Sequence, residues 1–96
     1  MEFRNTRITI DGEHFDLREL SGRAVEAAQA QDGDTRQGYA MIALSLCNSN
    51  AVPTYSPETL DSGLDHVMDL PARVAQTLSA SGSELNAVSM DDARKN

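Results

Sequence analysis

The sequence contains few of the residues that stabilise small proteins through large rings or cross-links. It has no tryptophan, one cysteine and an aromatic fraction of 4%, supplied by Phe3, Phe15, Tyr39 and Tyr55. The core is therefore expected to be aliphatic. It is also expected to be thin and to form one domain over residues 1–96, because a chain of this length is too short for a second core. Cores of this kind are often completed by a partner or by self-association.

Basic residues are also scarce. Eight Lys and Arg stand against fifteen Asp and Glu, which gives a formal net charge of −7. Sequence-independent attraction to nucleic acid or to anionic lipid needs clustered Lys and Arg, so we expect neither as a partner. The lone Cys47 cannot form an internal disulfide, which favours a cytoplasmic setting. The chain shows neither the apolar core of a signal peptide nor a run approaching the ~18 apolar residues of a membrane span.

Residues 6–18 are predicted to form a β-hairpin. Two alternating runs, 7–10 and 13–17, flank Asp11-Gly12, a pair that favours a type I′ turn. In this register one face carries four apolar residues: Ile8, Ile10, Phe15 and Leu17. The other face carries two polar pairs: Arg7 with Asp16, and Thr9 with His14. Because a hairpin alone is barely stable, this one should pack on helices.

Two helices are predicted next, over about 22–31 and 35–47. Ser21 is a good N-cap for the first, which is rich in Ala and Gln and stops at Asp32-Gly33. Asp34 is expected to cap the second. The interior of the second helix, 39–47, is apolar nearly all the way round, which predicts a helix that is buried on more than one side.

Two further helices are predicted over about 57–68 and 71–87. Ser56-Pro57-Glu58 supplies an N-cap, a proline at the first helical position and an acid in the first turn. Asp69-Leu70-Pro71 repeats the capping pattern, and residues 93–96 are expected to fray. The apolar stripes of the two helices are Leu60, Leu64, Val67 and Met68, then Val74, Leu78 and Leu85. The predicted fold is α+β and mostly α: an N-terminal β-hairpin followed by about four short helices packed as a small bundle.

The sequence offers little material for catalysis or for metal binding. A nucleophilic site needs a positioned base, but His14 lies on a strand and His66 in a helix. Cys47 is interpreted as a small packed hydrophobic residue. Asp61 and Asp65 lie one helical turn apart, and without a third oxygen ligand they are interpreted as a solvated helix face. We expect no enzyme activity, no metal and no cofactor.

The segment 60–65 resembles the Asp-Ser-Leu helix start on which acyl carrier proteins bear a phosphopantetheine arm. In this sequence Gly63 separates Ser62 from Leu64, and the helix is better started at Ser56. Carrier proteins also have no leading hairpin. Ser62 as an attachment site is therefore a minor alternative.

Taken in order, the chain resembles the tail assembly chaperones of long-tailed, lambda-like bacteriophages. The pattern is a short hairpin (RITIDGEHFDLREL), an Ala- and Gln-rich helix, a helix like YAMIALSLCNSN and a connector. An acidic helix over 60–69 then leads into Leu70-Pro71, and the next helix carries Leu85-Asn86 before a polar tail that ends in Lys95-Asn96. The sequence departs from the family at Gly63 and Gly82, which interrupt helices that such proteins usually keep unbroken.

The resemblance implies a non-enzymatic role in the host cytoplasm. A chaperone of this family coats the tape measure protein, keeps it soluble and helps the tail tube protein assemble around it. The resemblance also implies a longer form made by ribosomal frameshifting, for which Lys95-Asn96 could be encoded by a slippery run such as A AAA AAC. The alternative class is a small acidic regulatory adaptor or DNA mimic, although the interleaved basic residues do not leave a continuous negative stripe.

The second helix provides the candidate interface. Tyr39, Ile42, Ala43 and Leu46 form one stripe that is sufficient to hold the hairpin and the fourth helix. Met41, Leu44 and Ser45 form a second stripe, which so small a core is not expected to cover. Since monomers seldom keep an exposed apolar patch, we expect homo-oligomer formation or tape measure binding at four residues: Tyr39, Met41, Leu44 and Ser45. The alternative is that this helix is simply the central core helix.

Overall fold

The computed structural model describes residues 2–87. The frayed tail predicted over 93–96 and the Lys95-Asn96 pair lie outside these residues. The described chain contains a three-stranded sheet and four α-helices, so the predicted α+β, mostly α architecture is confirmed.

The hairpin forms with the predicted turn and register. Strands β1 (Asn5–Ile10) and β2 (Glu13–Arg18) are antiparallel, and Ile8 pairs with Phe15. Both turn residues have positive φ, 53° at Asp11 and 81° at Gly12, as a type I′ turn requires. The burial of the apolar face is uneven, because β1 is an edge strand. The two residues of β2 on that face are buried, whereas Ile8 and Ile10 are half-buried.

A third strand replaces the expected end of the second helix. Helix α2 (Asp34–Ser45) stops before position 47, and Leu46–Cys47 forms β3, which pairs antiparallel with β2. Leu46 has extended backbone angles, φ −61° and ψ 133°, and its side chain is buried. The helical prediction for 46–47 is therefore wrong, because hydrogen bonding to the free edge of β2 overrides the helical pattern of these apolar residues.

The other helices differ from their predicted bounds by a few residues. Helix α1 (Gly22–Gln29) begins at the predicted cap, where Ser21 Oγ accepts the Ala24 N–H at 3.2 Å. The helix ends at Gln29, two residues before the predicted end at position 31. The carbonyls of Gln29 and Gln31 instead accept hydrogen bonds from the side-chain amide of Gln37. Asp34 is the first residue of α2 instead of its cap, because Gly33 occupies the cap position with φ 87°.

The connector, residues 48–56, follows β3. A 3₁₀ turn, Pro57–Thr59, then leads into α3 (Leu60–Met68), and α4 follows (Ala72–Asn86). Both helices run without a break through Gly63 and Gly82, so the glycines do not shorten them. Met68, which the sequence pattern places in the apolar stripe of this helix, is 50% exposed, whereas Val67 beside it is fully buried, because adjacent residues of a helix point in different directions. No helix of residues 2–87 is long and apolar enough to cross a membrane.

Helix α2 is the centre of the bundle and packs against α1, α3 and α4. This confirms the prediction of a helix that is buried on several sides. The buried core combines side chains from every α-helix and from β2 and β3: Phe15, Leu17, Ala24, Ala28, Ala40, Ile42, Ala43, Leu44, Leu46, Leu60, Leu64, Val67, Val74, Ala75 and Leu78.

Candidate partner-binding groove

A groove runs along the surface between α2 and α4. It consists of two adjoining clefts, of about 70 Å³ and 180 Å³, which share Gly38, Ile42 and Ser79. One cleft extends to Leu20 and the other to Asp34. The α2/α4 groove is defined by residues of both helices: Asp34, Thr35, Gly38, Tyr39, Met41, Ile42, Ser45, Ala75, Gln76, Leu78, Ser79, Gly82, Ser83 and Asn86.

The groove is open because small residues face each other across it. A Cβ atom built on Gly38 would have no heavy atom within 4 Å, and one on Gly82 would meet only Ser45 Oγ, at 4.0 Å. The hydroxyl of Ser45 donates to the carbonyl of Met41 at 2.9 Å, so its hydrogen bond stays within α2. The buried side chains of Ile42 and Leu78 supply an apolar floor.

The opposite side of α2, towards α3, is closed. A Cβ atom on Gly63 would lie 2.9 Å from Tyr55 Cγ and 3.1 Å from Ala43 Cβ, distances shorter than van der Waals contact. Tyr55 is held over this glycine, and its hydroxyl lies 2.9 Å from His66 Nδ1. Gly63 therefore permits α3 to approach both the connector and α2, which explains the glycine within that helix.

The structure brings three of the four predicted interface residues to the groove and places the fourth elsewhere. Tyr39, Met41 and Ser45 line the α2/α4 groove. Leu44 instead lines a cleft beside α1 and the connector, with Ala24 among its neighbours.

The expectation of an uncovered second stripe is therefore wrong for Leu44 and Ser45. They are only 6% and 2% exposed, whereas Met41 is 37% exposed. The connector and α1 cover Leu44, and the sequence pattern did not indicate where those segments lie. The accessible part of the candidate interface is reduced to Met41 and the half-buried Tyr39.

At one end of the groove, Asn86 is hydrogen-bonded to the segment that follows β2. Its side-chain oxygen accepts the Leu20 N–H at 2.7 Å, and its amide nitrogen donates to the Gly82 carbonyl at 2.7 Å. Arg4 donates to the Ala87 carbonyl at 3.0 Å and forms an ion pair with Glu19. The hydrogen bonds from the backbone and side chain of Arg4 lower the pKa of the Glu19 carboxyl. The structural role of Asn86 was missed, although an amide beside Leu85 on a packed helix is a signal for it.

The residues considered for chemistry do not converge. Cys47 is half-buried on β3, and burial, followed by the charge of Asp16, raises the pKa of its thiol, which disfavours the reactive thiolate. The ring of His14 is hydrogen-bonded on the outer face of the hairpin, where its Nδ1 lies 2.7 Å from Thr9 Oγ1. His66 lies on α3, in edge-to-face contact with the ring of Tyr55.

The carboxylates considered for metal binding are equally separate. Asp61 and Asp65 are exposed on α3, as is Ser62, which is the third residue of this helix and follows the 3₁₀ turn that begins at Pro57. Over residues 2–87, no group of three His, Cys, Asp or Glu side chains is placed to hold a metal ion.

Comparison of the chain with protein-family models, with curated proteins and with solved structures found no match. A functional proposal therefore depends on the groove and on the order of sequence features along the chain.

Proposed function

We propose that this protein is a non-enzymatic assembly chaperone of bacteriophage tails, which acts in the host cytoplasm and binds the tape measure protein. The order of hairpin, helices, Leu-Pro step and Leu-Asn pair supports the family. The α2/α4 groove is the observation that carries the binding mode, because it is apolar at its floor and open to a ligand at Gly38 and Gly82.

The groove suits an apolar stripe of a partner helix. A helix packs on another at an interaxial distance of about 8–10 Å that depends on the side chains between them, so small residues on α2 and α4 permit a close approach. Met41 lines the side of the groove, with 37% of its surface exposed. Its unbranched, polarisable side chain can adapt to varied apolar residues, which suits a chaperone that binds many segments along one long protein.

The net charge of −7 supports the same role. A tape measure protein exposes apolar segments before the tail tube forms, and many bound copies of an acidic chaperone would repel one another and keep the complex in solution. In this proposal the tail tube protein is the second partner, and the chaperone promotes its polymerisation around the tape measure protein.

The test is a substitution that fills the groove without disturbing the core. Gly38→Leu places a side chain where the structure has open space, and Leu is the better helix former. The full chain, wild type or variant, is co-expressed with the tape measure protein, and soluble complex is measured after affinity purification. The matched control is Ala80→Leu, which adds the same side chain to an exposed position of α4 outside the groove.

We expect Gly38→Leu to fold with wild-type circular dichroism and to lose the complex, while Ala80→Leu retains it. Equal yields of complex from both variants would contradict the groove. Failure of the wild-type chain to retain any tape measure segment would contradict the chaperone assignment itself.

The gene provides a separate test of the family assignment. We expect it to lie just upstream of a very long tape measure gene and to carry a slippery heptamer at the codons for Lys95-Asn96. Sequencing that shows a non-repetitive context with no overlapping downstream frame would contradict the frameshifted form.

A further inference from the structure

Strand β1 presents an unpaired backbone edge. The sheet order is β1-β2-β3, so β1 has β2 on one side only. The Glu19 N–H donates to the Arg4 carbonyl at 2.8 Å, which shows that even-numbered residues of this segment direct their backbone groups towards β2. In an antiparallel ladder the intervening residues direct theirs away. The N–H and C=O groups of Asn5, Arg7 and Thr9 therefore point outwards, and no backbone hydrogen bond of residues 2–87 outside the strand ladder uses them.

The two outer strands differ in how their edges are protected. The edge of β3 is short and covered by the connector, since Cys47 forms a bridge with Pro53. In contrast, β1 has six residues in uninterrupted register with β2 and contains neither proline nor lysine. Proteins usually protect long edge strands with proline, charged residues (lysine above all), bulges or a covering segment. Within residues 2–87, β1 has neither a bulge nor a covering segment, and its one charged residue, Arg7, is paired with Asp16.

We propose that β1 pairs antiparallel with β1 of a second copy of this chain, about a two-fold axis that passes Ile8. This interface is separate from the α2/α4 groove, because none of the residues that define the groove belongs to β1. It does not depend on the proposed function.

The side chains of β1 are self-complementary in this register. Ile8 faces Ile8 of the second copy, and Arg7 faces Thr9 of the second copy. On the outer face each Arg7 stays bonded to its own Asp16, at 2.8 Å. Across the outer face of the joined sheets, Asp16 and Arg7 of one copy are then followed by Thr9 and His14 of the other copy. No two residues of like charge lie opposite each other. A two-fold axis at Arg7 would place two guanidinium groups opposite each other, which is destabilising.

The inner face gives the second reason for choosing a second copy. Ile8 is half-buried because nothing continues the sheet beyond it, and beside it a cleft of about 320 Å³ extends to Leu85 on α4. Pairing at Ile8 would join Phe15 and Ile8 of one copy to Ile8 and Phe15 of the other in one apolar row. Apolar cross-strand pairs of this kind stabilise antiparallel sheets.

Disulfide trapping tests both the pairing and its register. Opposite residues at a non-hydrogen-bonded site lie about 4.5 Å apart at Cα, a distance that a disulfide can span. In the full chain with Cys47→Ala, we expect Ile8→Cys to give a cross-linked dimer on mild oxidation. The matched control, Arg7→Cys in the same background, should not cross-link, because position 7 faces position 9 of the other copy. Cross-linking of the control at an equal yield, or none at position 8, would overturn the proposal.

A second pair of variants tests the backbone without changing the apolar face. Thr9→Pro removes the outward N–H, whereas Thr9→Val retains it and keeps a β-branched side chain. Sedimentation equilibrium of the full chain should show self-association that is at least about tenfold weaker for the proline variant, since two symmetric hydrogen bonds are lost. The valine variant should associate like the wild type. A wild-type chain that is monomeric at millimolar concentration, or that pairs β1 only with a strand of the tape measure protein, would contradict the proposal.

Discussion

The two sides of helix α2 use the same residue type for opposite purposes. Towards α3, a Cβ atom on Gly63 would lie 2.9 Å from Tyr55 Cγ and 3.1 Å from Ala43 Cβ. The glycine therefore permits α3 to pack closely against α2 and Tyr55. Towards α4, a Cβ atom on Gly38 or Gly82 would meet little or nothing, and an open cleft remains between the two helices. One side is an interior contact that the fold needs. The other is empty space that the fold does not need, and this is why we assign the binding role to it.

The difference shows why a glycine inside a helix cannot be interpreted from sequence alone. Every such glycine weakens its helix by about 1 kcal/mol relative to alanine. Whether that loss is offset by close packing or leaves a cleft depends on the neighbouring element. Substitutions on the two sides of α2 should therefore change the free energy of unfolding by different amounts and in opposite directions.

The largest expected contrast lies between two neighbouring residues of α2. Leu44→Asp places a charge at a site that is 6% exposed and should destabilise by about 5 kcal/mol or more, enough to unfold the domain. Met41→Asp, at a site that is 37% exposed, should cost about 1 kcal/mol or less. Urea unfolding followed by circular dichroism measures both. Similar losses at the two positions would mean that α2 has no open side.

The hairpin is expected to contribute to the buried core. Phe15→Ala removes a ring that is 9% exposed and should cost about 3–5 kcal/mol, comparable to the whole stability of a small domain. The melting temperature provides the measurement. A variant that melts within about two degrees of the wild type would show that the hairpin is peripheral.

Gly63→Ala should destabilise by about 1–2 kcal/mol. The added methyl group would overpack against Tyr55 and Ala43, which costs about 1–3 kcal/mol. The higher helix propensity of alanine offsets part of this cost. Tyr55→Ala is the second member of a double-mutant cycle and should relieve the clash. If Gly63→Ala raised stability in the wild-type background, the closed contact would not exist.

Gly38→Ala and Gly82→Ala should have the smallest effects on stability, and they should stabilise the protein instead of destabilising it. Each should stabilise by about 0.5–1 kcal/mol, since the new methyl group meets no close neighbour. Their effects should add, because the sites share no contact. Destabilisation by either variant in chemical unfolding would show that the groove closes in solution.

The features that the sequence predicted are those determined by neighbouring residues. Asp11-Gly12, the alternation around it and the Arg7–Asp16 pair all favour one hairpin register, and the structure has it. Ser21 likewise caps α1 as expected. These interactions join residues that are close in the chain, so their geometry follows from local spacing.

The features that the sequence missed depend on distant segments. Strand β3 forms because the edge of β2 is free, which the apolar run ending at Cys47 does not reveal. Leu44 is buried because α1 and the connector cover it, and Asn86 is bonded to Leu20, 66 residues away in the chain. For the candidate site, the pattern identified α2 correctly as the central helix but could not distinguish its covered side from its open side.

In the proposed function, the partner binds the open side of α2. Two methionines in the described chain provide matched probes, because Met41 lines the groove at 37% exposure and Met68 ends α3 at 50% exposure. Methyl-¹³C methionine spectra of the full chain, assigned with Met41→Leu and Met68→Leu, are recorded during titration with the tape measure protein. We expect the Met41 methyl signal to shift or broaden while that of Met68 stays unchanged. Binding that moves Met68 and leaves Met41 unchanged would contradict this expectation.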